Sequence, residues 1–257
     1  MTAQVRIAYR APFDWPALVA FLSKRTVAPV EVFEEDEYVR DGIRIRNDPA
    51  GSALTVTASW PVAESIVSRA RHLFDTEAEP RRIARRLAAD RMLGPIIRKH
   101  RGIRVPGAWE PFEMVVRAIV GQQVSVAGAT TTMKKIVAQF GAFPKPAQLA
   151  ATPVSGMPEQ RAATIRRVAA AVAAGDLPLT RGPSLEESIA RLTSIKGIGP
   201  WTANYIAMRV LREPDAFPSG DLGLLKETEA KSEKELLRMA EAWRPWRAYA
   251  AMLLWSR

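Results

Sequence analysis

The stretch Lys196-Gly197-Ile198-Gly199-Pro200-Trp201 sets two glycines two apart, then a proline and a tryptophan at the head of a helical run. Glycine tolerates positive φ and close backbone approach. Proline suits the first turn of a helix, where its missing N–H costs nothing. The spacing predicts a tight turn feeding a helix whose first amides are bare, an end that attracts anions. An ordinary helix–helix turn with a glycine C-cap would use the same residues. Asp221, in Pro218-Ser219-Gly220-Asp221-Leu222, is the second chemical candidate. Aspartate is a favoured N-cap, and a carboxylate fixed at a helix start can also stabilise a developing cation or orient a water. Trp201 and Tyr205 are four apart and share a helix face. Electron-rich rings so placed bind flat, electron-poor groups by stacking and cation–π attraction, although a core would use them too.

Composition narrows the partners. The 257 residues carry a formal net charge of +10, unevenly spread. Residues 1–60 hold 7 Lys/Arg against 8 Asp/Glu, and the remainder holds 30 against 19. A basic bulk behind a near-neutral start suits a polyanion, or serves solubility alone. The absence of cysteine excludes disulfides, thiolate zinc and Cys-ligated iron–sulfur clusters. The two histidines, His72 and His100, do not suggest a metal site. No apolar run is long enough to span a bilayer and no signal-peptide core opens the chain, so we expect a cytoplasmic protein, nucleoid-associated if bacterial.

The elements that must position these residues fall into two groups. Val5, Ile7 and Tyr9 alternate as in a strand, and Pro12 to Arg25 reads as a helix. Two β-branched runs, 30–47 and 52–60, are punctuated by Asp41-Gly42 and Asp48-Pro49-Ala50-Gly51. Beyond about residue 62 only helical spacing remains, with Ser184 and Glu187 as a capping-box pair. The expected organisation is a small mixed α/β domain over 1–75 and a helical body over 76–257, with a helix-hairpin-helix at about 184–211. The fold class is therefore mostly α with a small α+β N-terminal domain. Arg81, Arg82, Arg85 and Arg86 read as a solvated helix face.

The run Leu192 to Arg209 followed by Asp215 to Lys226 resembles the helix-hairpin-helix DNA glycosylases, and within them the AlkA-type DNA-3-methyladenine glycosylase II branch. Residues 112–129 and 242–255 are similar to that branch too, in the same order, so the resemblance runs through 105–255. It implies a monofunctional enzyme that flips an alkylated base out of double-stranded DNA and hydrolyses its N-glycosidic bond, leaving an abasic site in base excision repair. Asp221 would be the catalytic carboxylate. Trp201, Tyr205 and Trp255 would form the base pocket, with Phe112 and Trp109 lining it. Gly197, Gly199 and Thr202 would hold a DNA phosphate. Backbone carbonyls of Thr193, Ile195 and Gly197 would hold a monovalent cation, Na⁺ or K⁺, with no other cofactor required.

Gln123 matches the wedge position, a leucine in the branch, with Gln122 beside it. A glutamine there can hydrogen-bond the orphaned base but wedges less firmly. Bifunctional members of the superfamily carry a lysine nucleophile where this chain has Trp201, so no amine is placed for a Schiff base. The partner implied is duplex DNA containing alkylated bases such as 3-methyladenine and 7-methylguanine, met by a monomer. Two other readings stand beside it: a non-catalytic helix-hairpin-helix DNA-binding protein, and an oxidised-base glycosylase/lyase.

Overall fold

The computed structural model describes residues 2–257. A five-stranded antiparallel sheet comes first: β1 (Ala3–Ala8), β2 (Glu31–Glu34), β3 (Glu37–Arg40), β4 (Ile43–Asp48) and β5 (Ala53–Ala58), in the order β1-β5-β4-β3-β2. Two hairpins turn on left-handed pairs. Asp41 and Gly42 have φ of 50° and 75°, and Glu35 and Asp36 have φ of 48° and 68°. Such pairs match the twist of the strands they join. The first turn is legible as Asp-Gly; the second is two acids without glycine and carries no turn signature. Helix α1 (Trp15–Ser23) lies between β1 and β2, capped by Asp14, whose carboxylate accepts from the Ala17 amide at 3.1 Å. It buries Trp15, Leu18, Phe21 and Leu22.

Helices make up the rest. They are α2 (Glu64–Phe74), α3 (Pro80–Leu87), α4 (Leu93–Lys99), α5 (Pro111–Val120), α6 (Val126–Phe140), α7 (Pro146–Ala151) and α8 (Glu159–Ala174). After these come α9 (Leu185–Thr193), α10 (Pro200–Arg209), α11 (Leu222–Thr228), α12 (Glu233–Ala240) and α13 (Arg247–Trp255). Short α4 and α7 escape sequence reading, because Gly94, Pro95 and Pro146 mask their periodicity. Ser184 caps α9 by accepting from the Glu187 amide at 3.1 Å, one half of the expected capping box.

Sheet and helical body share one core. Tyr38 of β3 packs its ring 5.7 Å from Phe74 and 5.9 Å from Trp109. Beside it lies a buried ionic cluster. Glu113 of α5 accepts from Arg40 at 2.7 Å and from Arg117 at 2.6 Å, and Arg117 also reaches Glu31 of β2 at 2.9 Å. Burial alone would raise the Glu113 pKa, but Arg117 and Arg40 hold it below the ordinary carboxylate value. Removing one member would strand a buried charge, at a cost of about 3–5 kcal/mol. The cluster therefore fixes how the sheet meets α5.

His72 ties α2 to the end of α10. Its Nε2 lies 3.3 Å from the Arg209 carbonyl, which only accepts, so the neutral ring carries its proton there. Burial first, then the Arg212 charge, push this imidazole down to about 4. The unfolded chain, with a histidine near 6.5, binds the extra proton as pH falls, so this contribution is full above about 6.5 and lost toward 4. In urea melts, the wild type is expected to lose about 2–3 kcal/mol more than His72→Gln between pH 7 and 4. Parallel pH profiles would mean that His72 titrates normally in the fold.

Candidate active site

Helix α10 organises the site. Gly199 is its N-cap and Pro200 its first residue. Among the described residues, the amides of Gly199, Trp201 and Thr202 donate no hydrogen bond, which leaves the helix start bare. The two hairpin glycines differ in what they answer to. Gly197 has φ +102°, and a Cβ there would fall 1.9 Å from the Thr164 hydroxyl of α8. Gly199 has φ −87°, and a Cβ there would meet nothing within 4 Å. The fold itself demands glycine at 197. At 199 only something arriving from outside would.

The loop from Gly121 to Ser125 is bound to this hairpin. The Gln122 side-chain amide donates to the Gly197 carbonyl at 3.0 Å and to the Thr202 hydroxyl at 2.9 Å. Arg161 of α8 donates to the Gln122 carbonyl at 2.8 Å. Gln122, expected beside the wedge position, has its side-chain amide engaged in holding the loop to the hairpin. Gln123 stands exposed at the tip with φ +55°, followed by exposed Val124. The hairpin carbonyls named as cation ligands also take part in these bonds. Gly197 accepts from Gln122, and Ile195 accepts from the Ile198 amide at 3.0 Å, each keeping a second lone pair.

Asp221 is the N-cap of α11, its Oδ1 accepting from the Leu224 amide at 3.0 Å. Two indoles complete its shell. Trp255 Nε1 donates to Oδ1 at 3.1 Å, and Trp201 Nε1 donates to Oδ2 at 3.1 Å. Gly223 gives the carboxylate room, since a Cβ there would lie 3.0 Å from Oδ1. Three segments distant in sequence thus meet on one carboxylate.

The rings continue from it. Trp201 and Tyr205 are parallel within 7° at 5.5 Å, and Tyr205 meets Trp255 edge-on at 6.1 Å. They wall a cleft of about 1110 Å³ that also reaches Trp109, Gln123, Arg209 and Asp221. Trp109 sits at its inner wall, buried beside Tyr38. Phe112 is not on the cleft. It points from α5 toward Phe143 at 6.2 Å, because the helix turns it away from the face that carries Glu113 and Arg117. Sequence reading missed three neighbours of the site. Phe21 of α1 lies 6.3 Å behind Trp255, Arg25 lies 3.7 Å over Phe21, and buried Arg209 reaches Tyr205. The visible signal was an arginine four residues past Tyr205 in an otherwise apolar run.

A helix-hairpin-helix in a helical body, beside an aromatic cleft and a helix-capping carboxylate, defines the helix-hairpin-helix DNA glycosylase fold. A 3-methyladenine DNA-glycosylase from Archaeoglobus fulgidus has this fold with a TM-score of 0.82 at 21% identity, over 97% of this chain and 96% of that one. The AlkA N-terminal domain family matches residues 4–110. DNA-3-methyladenine glycosylase 2 of Escherichia coli is 31% identical over 96% of this chain and 95% of its own length. The chain belongs to the AlkA family of DNA-3-methyladenine glycosylases. A relative in Mycobacterium tuberculosis, named as a probable bifunctional transcriptional activator/DNA repair enzyme, is 32% identical over 99% of this chain, which spans 57% of that protein's length.

The two glycines separate experimentally. Gly197→Ala is expected to lower stability by about 1–3 kcal/mol, through the Thr164 clash and the left-handed backbone. Gly199→Ala should leave the thermal midpoint nearly unchanged. Equal destabilisation of both in thermal melts would contradict the distinction.

Proposed function

We propose that the protein is a monofunctional DNA glycosylase that removes alkylated bases from duplex DNA. The observation that carries this reading is the Asp221 carboxylate, held by two indole N–H groups beside a stack of rings. Phosphate binding alone would need neither. A base turned out of the helix would enter the cleft against Trp201 and Tyr205, with the extrusion costing a few kcal/mol. Its sugar would then lie toward Asp221. As the C1′–N bond lengthens, positive charge grows on the sugar, and the fixed carboxylate faces it. At 4 Å and an effective dielectric near 20 that attraction is about 4 kcal/mol, close to a thousandfold in rate. The base leaves with the bonding pair, and water adds its oxygen at C1′.

The rest of the site supports the same reading. The bare amides at Gly199 and Thr202 suit a DNA phosphate, and Gly199 lets it approach. Neutral carbonyls of Thr193, Ile195 and Gly197 suit a monovalent cation, which would supply a positive charge beside that phosphate. Cationic leaving groups such as 3-methyladenine and 7-methylguanine need no strong general acid, and the rings favour them. Trp201 takes the position where a lyase would need its amine, so the product is an intact strand with an abasic site. We place this activity in the cytoplasm, in a monomer acting on double-stranded DNA.

Asp221→Asn should abolish release of 3-methyladenine from alkylated duplex, by about a thousandfold, while the protein stays folded and binds DNA. One oxygen still caps α11, but the new Nδ2 opposes the Trp201 N–H. Near-full activity in a folded variant would remove Asp221 from the mechanism. Gly199→Ala should weaken affinity for any duplex by about tenfold, the scale of one hydrogen bond to a charged group; unchanged anisotropy titrations would show that the hairpin holds no phosphate. Borohydride trapping of a covalent protein–DNA adduct would contradict hydrolysis without a lyase step.

A further inference from the structure

Among the described residues, the buried Arg209 guanidinium has no carboxylate in its shell. Its Nε donates to the Pro106 carbonyl, its Nη2 to the Gly107 carbonyl at 3.2 Å, and its Nη1 to the Tyr205 hydroxyl at 2.7 Å. The faces of Phe21 and Tyr205, 5.1 and 5.5 Å away, are its remaining compensation. Burial, followed by the charges of Arg25 and Arg117, lowers its pKa, against the pull of Tyr205. Among the described residues no carboxylate pairs directly with the Arg209 charge, which borders the cleft.

This arrangement also sets the phenol. An arginine has donors only, so the Tyr205 oxygen must accept from it and its own proton is left over. Among the described residues the Tyr205 hydroxyl donates to no partner, and both residues line the cleft. Trp201, Tyr205 and Arg209 recur every four residues on one stripe of α10. Along that stripe the charge runs from the Asp221 carboxylate, held by Trp201, to the Arg209 guanidinium beyond Tyr205.

We infer that the Arg209–Tyr205 pair is the leaving-group site of the cleft, with Tyr205 donating a hydrogen bond to an acceptor on the flipped base and Arg209 polarising that donor. The inference rests on the glycosylase reading above. When the C1′–N bond breaks, its electron pair goes to the base, the water oxygen bonds to C1′, and one water proton ends on the base or in solvent. Tyr205 keeps its proton throughout. A neutral base leaves as an anion, whose charge the polarised phenol and the guanidinium stabilise. A cationic base leaves neutral and draws little on the donor. Arg209 is a positioning residue in this scheme, and Tyr205 touches the base.

The test is single-turnover base release from duplexes carrying one hypoxanthine, a neutral base with a carbonyl acceptor, or one 7-methylguanine. Tyr205→Phe keeps the ring and removes only the donor. It should slow hypoxanthine release by about tenfold to a hundredfold and 7-methylguanine release by much less, since a lost hydrogen bond to a developing charge is of that size. Arg209→Met should give the same split in single-turnover rate. Should it fail to fold by circular dichroism, Tyr205→Phe decides alone. Parallel losses on both bases, or none, would overturn the pair's role while leaving the glycosylase intact, as would a wild type that releases 7-methylguanine but no hypoxanthine. A wild type that releases neither base would remove both readings together.

Discussion

Two indole N–H groups on one carboxylate are the constraint to which the rest of the structure is fitted. Trp201 comes from the start of α10, Asp221 from the start of α11, and Trp255 from the end of α13. Each oxygen of Asp221 has an indole donor, and Oδ1 also caps a helix. A carboxylate so fixed has no rotamer to lose when a cation forms nearby, and its donors need not reorganise. Meeting this condition requires α10, α11 and α13 to hold their relative places, which the core around Phe217, Trp243 and Leu224 secures.

The N-terminal sheet contributes to the site through the same logic. Its β2 and β3 are locked to α5 by the Glu31, Arg40, Glu113 and Arg117 cluster. Helix α1 then brings Phe21 behind Trp255 and Arg25 over Phe21. Buried ion pairs add little net stability, but they penalise any other docking of sheet on helix. The cleft wall is thus shared between both halves of the chain, lined by Leu22 and Tyr38 from one and by Trp201, Asp221 and Trp255 from the other. Gln122 adds a third tie, bonding the loop that carries Gln123 to the hairpin.

Much of this was legible residue by residue. The glycine hairpin, the N-cap aspartate and the four-residue spacing of Trp201 and Tyr205 are local signals, and local geometry decides them. Phe112 misled because an aromatic near a motif carries no sign of which face of α5 it occupies; the alternative, Phe143, is distant in sequence. The hold of Gln122 on the hairpin has no local signal, because its partners lie 75 and 80 residues away. Phe21 gave no signal beyond an apolar helix face, and its place depends on how the sheet docks. Arg209 is a charge inside an apolar run, which asks for a partner that only the tertiary structure names.

The most direct test of the indole-held carboxylate uses an abasic duplex mimic with a cationic pyrrolidine in place of the sugar, compared with a neutral tetrahydrofuran. A cation at the sugar position should bind the wild type at least about tenfold more tightly, about 1.4 kcal/mol. Asp221→Asn should lose that preference while retaining its affinity for the neutral mimic. If the folded variant prefers the cationic duplex as strongly as the wild type does, the carboxylate does not face the sugar and the account of the site fails.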